Sequence, residues 1–221
     1  MLSAQMREKL LDLSTPLLVD ARDRLGLPES HLDSGIKPVV PFTRMAGVAV
    51  TVRLEVPTDA SAADLTLLSQ TYESRSPGSH SIIAIQVPEE LHGQGIVGEG
   101  AATVAGMHGF VGALIEGAAR DSHDLREVGF PVFSRAVSPG YIVGKVSAVA
   151  ADEPVIIGGC TIHSGDILMG DNDGVVVVRA EELEDVVARA KAIKEWEHRV
   201  HAVLAAGKSS AEALSAAGPM P

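Results

Sequence analysis

Residues 98–121 read GEGAATVAGMHGFVGALIEGAARD. The pattern predicts a turn, a small-residue helix, a break at Gly109, and an apolar strand from Val111 to Ile115. A tight Glu116-Gly117 turn would then deliver Arg120 and Asp121. Glu99 sits at the other end of this unit, and a helix followed by a returning strand could bring the two ends together. One site containing Glu99, Arg120 and Asp121 is the expectation.

The chemistry of that trio follows from the residue types. A lone carboxylate on a turn is a poor cage for zinc but suits Mg2+ or Mn2+, which keep several waters. Asp121 would be the metal ligand and Glu99, near a helix start, would hold water on the metal. Arg120 supplies a planar fork for a substrate carboxylate or a developing oxyanion. The unpaired amides around Gly98, Gly100 and Ala101 offer a further anion site.

Outward from this unit the chain alternates strand and helix, the pattern of an α/β protein. Upstream, residues 3–12 read as a short amphipathic helix. Thr15 reads as an N-cap with Pro16 at the first helical position, opening a second helix that stops at Gly26 and carries Asp20. Met45–Leu54 alternates with period two, residues 60–74 read as a helix, and Ile82–Val87 as a buried strand. Downstream come a helix from Ser122 to Val128 and strands at Pro131–Phe133, Ile142–Val149, Pro154–Ile157, Thr161-Ile162, Ile167–Met169 and Val175–Arg179, which suggest a second β layer. Asp171-Asn172-Asp173-Gly174 lacks the later Glu of a calcium loop and reads as a hairpin turn. A helix from Glu181 to about Ala206 closes the fold, and the tail after Gly207 is expected to fray after one small helix.

Gly93-Gln94-Gly95-Ile96-Val97-Gly98 is a literal G-x-G-x-x-G before a helix. Pro88 to His92 separates it from the preceding strand, whereas a dinucleotide-binding turn follows its strand directly, so nucleotide binding is disfavoured. His198 and His201 lie three apart with no third ligand nearby and read as a solvated helix face, and His123 reads as a polar turn residue. No Ser-His-Asp set, P-loop or C-x-x-C is present.

The 221 residues fit a single domain with a core about 10–207, and the 46% hydrophobic content is that of a globular chain. Only 3% of residues are aromatic, so Val, Leu, Ile and Ala must build the core. A net charge of −11 argues against nucleic acid or an anionic membrane as partner. Cys160 is the only cysteine, and its apolar, Gly-rich surroundings predict a buried inert thiol. With no apolar leader and no membrane-length run, a cytoplasmic protein is expected.

Gly98-Glu99 and Gly117-Ala118-Ala119-Arg120-Asp121 resemble the signature of the RraA-like family, whose aldolase members are 4-hydroxy-4-methyl-2-oxoglutarate aldolases. LSTPLLVDARDRLGL, DSGIKPVVPFTRMAGVAVTV, PVFSRAVSP and PVIIGGCTIHSGDILMGDNDGVVVV extend the resemblance over about residues 10–207. Three positions depart from it: Glu99 where many members carry Asp, Glu116 where Asp is usual, and Met169-Gly170 where Ala is usual. The resemblance implies a β/β/α swivelling-type sandwich with flanking N- and C-terminal helices. It also implies a metal-dependent class II pyruvate aldolase acting on 2-oxo acids such as 4-hydroxy-4-methyl-2-oxoglutarate, with oxaloacetate decarboxylase activity and Mg2+ or Mn2+ as cofactor. A homotrimer or homohexamer is implied, in which a glutamate of the last helix, Glu197 as the best-aligned candidate or else Glu195, reaches a neighbour's site. The family also includes non-catalytic proteins that bind and restrain a ribonuclease, the alternative function. No site for a methyltransferase cofactor is evident.

Overall fold

The computed structural model describes residues 2–221. In chain order the elements are α1 (Ala4–Leu11), α2 (Thr15–Arg24), β1 (Lys37–Pro38), β2 (Met45–Glu55), α3 (Thr66–Glu73), β3 (Ser81–Gln86), β4 (Gly95–Val97), α4 (Glu99–Met107) and β5 (Phe110–Ala119). There follow α5 (Ser122–Val128), β6 (Val132–Val137), β7 (Ser147–Ala151), β8 (Val155–Ile157), β9 (Cys160–Ile162), β10 (Ile167–Asp171), β11 (Gly174–Val178), α6 (Leu183–Ala205) and α7 (Ser210–Ala217). One nine-stranded sheet runs β1-β6-β5-β3-β2-β10-β11, with β4 added to β5 and β7 to β2. β2, β3, β5 and β6 are parallel neighbours, and helical crossovers cover them as parallel strands require.

Three apolar clusters divide the interior. α3, α4 and α5 cover β2, β3 and β5 through Leu68, Tyr72, Ala102, Ala105 and Leu125. α1, α2 and α6 cover β10 and β11 through Leu10, Leu18, Val186, Ala190 and Ile193. Between them, Met45, Leu114, Phe133, Leu168 and Val177 pack beneath the separate β8-β9 hairpin. Residues 30–38 run along both edges of the sheet, since His31 bridges to Val176 of β11 and Lys37 pairs with Ser134 of β6, so the sheet nearly closes on itself.

The mixed α/β organisation with flanking terminal helices is the one expected, and several details differ. There is no turn at Glu116-Gly117: β5 continues to Ala119, with parallel partners on both sides and a register slip against β6 between Ile115 and Ala118. Gly117 serves close packing, because a Cβ there would lie 3.3 Å from Val87. The second β layer is reduced to β8 and β9, since β7, β10 and β11 join the main sheet. Residues 60–74 form a 3-10 turn at Ala60–Ala62 and a helix only from Thr66, because Asp59 and Asp64 accept from the amides of Ser61 and Thr66 and hold local turns. Ile142 to Val146 is a turn, with Gly144 at φ +81°, and the strand begins at Ser147.

The tail does not fray. Ser209 and Glu212 form a capping box on α7, Ala213 is fully buried, and Trp196 donates from Nε1 to the Gly218 carbonyl at 2.8 Å. Thr15 is inside α2 rather than its cap. The carboxylate of Asp171, at the β10-β11 hairpin, takes the capping role: Oδ2 accepts from Thr15 N at 2.8 Å and Oδ1 from Thr15 Oγ1 at 2.7 Å.

Candidate active site

The sheet carries Arg120 and Asp121 off the end of β5, where β4 lies on one side and β6 on the other. Backbone bonds fix the exit: Arg120 N donates to Val97 O at 2.9 Å, and Ser138 N to Ala119 O at 2.9 Å. Asp121 then adopts the left-handed conformation, φ 53° and ψ 43°, which Asp tolerates better than most side chains. This reversal starts α5 while turning the carboxylate toward the N-terminus of α4. There Oδ2 accepts from Glu99 N at 3.3 Å, and Oδ1 accepts from Arg120 Nε at 3.1 Å.

Two glycines make room for this corner. A Cβ on Gly98 would lie 2.2 Å from Asp121 Oδ2, and one on Gly95 would lie 2.8 Å from Arg120 Cβ. The G-x-G-x-x-G stretch thus supplies β4 and the approach to α4, with glycine wherever Arg120 and Asp121 press against the backbone.

Glu99, Arg120 and Asp121 are brought together as expected. Glu99 is exposed, and its Oε1 accepts from Thr103 Oγ1 at 3.1 Å, a contact one helical turn along. The first intrahelical bond of α4 runs from Ala102 N to Gly98 O, leaving the amides of Gly100 and Ala101 as open donors at the positive end of the helix. Gly100 faces free space. Arg120 is about one-third exposed, and its Nη1 and Nη2 have no hydrogen bond to protein among the described residues.

The donors at this corner are all oxygens. Asp121 retains open lone pairs, the Glu99 carboxylate stands on the adjoining helix turn, and no cluster of three or more His, Cys, Asp or Glu residues suited to a metal occurs among the described residues. That set fits Mg2+ or Mn2+ with most of the coordination shell left to water, and fits neither zinc nor an all-protein calcium cage.

Glu197 is not brought to this corner. It lies on α6, which packs against α2 and α7 in the cluster that covers β10 and β11. Any contact with the site must therefore come from a neighbouring chain. Asp20 is exposed on α2 beside Val19 and His31 and lines two small clefts of about 190 and 240 Å³. His123, His198 and His201 are exposed. A 520 Å³ hollow lies elsewhere, around Ser74, Arg75, Ser81 and Ser164, while at the corner itself Glu99 is exposed and Arg120 and Asp121 are about one-third exposed. Cys160 is half-buried rather than buried, and desolvation pushes its thiol pKa up, which lowers its thiolate fraction. No helix among the described residues is long and apolar enough to cross a membrane.

Sequence reasoning missed Tyr141. Its ring centroid lies 5.6 Å from Arg120 Cζ, a cation–π contact at the mouth of the site. One of only two tyrosines in the chain, directly after a Pro-Gly turn, was the available signal.

Known proteins resemble this chain over most of its length. Residues 15–177 match the RraA-like family, described as Aldolase/RraA. A protein of Halalkalibacterium halodurans, named provisionally as a 4-hydroxy-4-methyl-2-oxoglutarate aldolase, is 31% identical over 183 residues, 81% of this chain and 79% of that one. A crystal structure of an uncharacterized Pseudomonas syringae protein superposes with a TM-score of 0.82 at 29% identity, covering 96% of this chain and 93% of the other. Streptomyces coelicolor RraAS2, described as an unusual member of the RNase ES inhibitor RraA family, superposes at 0.75 with 24% identity over 89% and 95%, a likeness of fold. With its Gly98-Glu99 and Arg120-Asp121 corner set in that fold, the chain belongs to the RraA-like family.

Proposed function

We propose that the protein is a divalent-metal-dependent lyase that cleaves 4-hydroxy-2-oxo acids of the 4-hydroxy-4-methyl-2-oxoglutarate type to pyruvate and decarboxylates oxaloacetate. The carrying observation is the single corner at which an incompletely satisfied carboxylate, a guanidinium edge free of protein partners and two open helix-terminal amides converge. A metal held by Asp121 would supply a Lewis acid toward the 2-oxo group and lower the pKa of water.

The chain's own groups provide the rest. The amides of Gly100 and Ala101 bind the substrate carboxylate, with Gly98 leaving the approach clear. Arg120, through Nη1 and Nη2, binds the 2-oxo oxygen and becomes a better partner as that oxygen gains charge. In the retro-aldol direction the 4-hydroxyl loses its proton, the C3–C4 bond breaks, and the electron pair moves toward the 2-oxo oxygen. Loss of carbon dioxide from oxaloacetate develops charge at the same oxygen, so one site serves both reactions. Glu99, held at Oε1 by Thr103, keeps Oε2 to accept a proton relayed by water. A surface-exposed corner of this kind suits a site completed between subunits, with Glu197 arriving from a neighbour in a homotrimer or a pair of trimers.

The test is pyruvate release from oxaloacetate and from 4-hydroxy-4-methyl-2-oxoglutarate, with Mg2+ or Mn2+ and again with excess chelator. Release that chelator and Asp121→Ala both abolish supports the lyase. No release from either substrate, together with recovery of a ribonuclease in an affinity pull-down, replaces it with the binding-protein alternative.

A further inference from the structure

An arginine at a substrate site has two faces and an edge, and the surroundings of Arg120 treat them differently. Nε is engaged by Asp121 Oδ1, and Cζ lies over the ring of Tyr141, 5.6 Å from its centroid. The edge carrying Nη1 and Nη2 is left open.

Tyr141 is held in place by the backbone that forms the site. Gly95 and Tyr141 form a parallel bridge, and Gly95 N donates to Gly140 O at 3.1 Å. Gly140 N donates to Ser138 Oγ at 3.1 Å, while Ser138 N donates to the last residue of β5. Lys145 Nζ closes the loop onto Gln94 Oε1 at 2.8 Å. Yet Tyr141 is 54% exposed, so core burial does not account for its position. The loop delivers an aromatic face to Arg120.

We propose that Tyr141 is a positioning residue that fixes the plane of the Arg120 guanidinium, presenting the Nη1/Nη2 edge to substrate. This rests on the lyase reading for its kinetic consequence and on geometry alone for its structural one. Asp121 anchors Nε but leaves the guanidinium plane free to tilt, and a long arginine side chain loses considerable freedom when it is fixed. The ring removes that tilt. A substrate's 2-oxo oxygen then meets the edge in plane, the geometry in which the guanidinium donates best.

Two measurements test this on the full-length protein. In nitrogen-15 spectra without metal, the Arg120 Nε–H resonance, assigned by its disappearance in Arg120→Lys, is displaced by the ring current and exchanges slowly. Tyr141→Ala removes both properties and Tyr141→Phe restores them. In pyruvate release with metal, Tyr141→Ala lowers kcat/KM about tenfold, within the roughly two- to thirtyfold range of a cation–π contact. Tyr141→Phe recovers most of that loss, and Tyr141→Ala costs nothing further in an Arg120→Lys background. An unchanged resonance in Tyr141→Ala overturns the proposal, as does a Phe variant as impaired as the Ala variant, which would assign the effect to the hydroxyl. A resonance that behaves as expected in a protein that releases no pyruvate confirms the hold on Arg120 and overturns the lyase reading instead.

Discussion

Two aspartates in this protein stand at strand ends and accept an amide from the N-terminus of another helix, 22 positions away for Asp121 and 156 for Asp171, and their remaining contacts differ. Asp171 accepts from Thr15 N, Thr15 Oγ1 and Asp173 N at 2.8, 2.7 and 3.0 Å and is 8% exposed. Its oxygens are well satisfied, and it joins α2 to the hairpin. Asp121 accepts from Glu99 N at 3.3 Å and Arg120 Nε at 3.1 Å, its side chain is 31% exposed, and its backbone is held left-handed to aim the carboxylate. The same residue in the same kind of place is a structural tie where its acceptors are filled and a reactive candidate where they are not.

Substitutions at the two aspartates should therefore separate activity from stability. Asp121→Ala is expected to lower metal-dependent pyruvate release about a thousandfold, the several kcal/mol that a positioned metal supplies, while the thermal midpoint stays within about 3 °C. A large fall in Tm with residual activity would erase the distinction. Gly98→Ala comes next. Its backbone φ of −131° suits alanine, but the new Cβ must displace the Asp121 carboxylate, so turnover should fall about a hundredfold with circular dichroism unchanged. Asp171→Ala inverts the pattern: a loss of about 2 kcal/mol, or about 4–8 °C in Tm, with activity per folded molecule retained.

A third carboxylate gives the smallest effect. A side-chain hydrogen bond from Arg135, aided by the Gly35 amide, holds the Asp33 carboxyl below the usual range. A depressed folded pKa means the stabilisation is present above the unfolded value of about 3.9 and fades as pH falls through the folded one. The stability advantage of wild type over Asp33→Asn, followed by urea unfolding, should be full at pH 6 and shrink below about pH 4. Half-exposure keeps it modest.

The comparison also shows what a linear reading can reach. The convergence of Glu99, Arg120 and Asp121 was legible because a helix and a returning strand join them, and the family was legible in motifs spread over most of the chain. The hairpin at Asp171 was legible too, but not its grip on Thr15, which spans 156 positions. Gly117 was misread because glycine marks both turns and close packing, and only Val87 across the sheet distinguishes them. The left-handed backbone of Asp121 and the ring of Tyr141 over Arg120 follow from strands meeting in space, which local propensity does not encode.

The docked tail has a practical consequence. Trp196 is the chain's single tryptophan, and its indole N–H is bonded to Gly218, beyond α7. Intrinsic fluorescence of the whole protein is therefore a local optical probe: its wavelength registers attachment of the last dozen residues, with no label and no competing emitter of the same kind. Cleaving or tagging the C-terminus would shift that emission, while the corner of Glu99, Arg120 and Asp121 in the same chain lies on another layer of the fold.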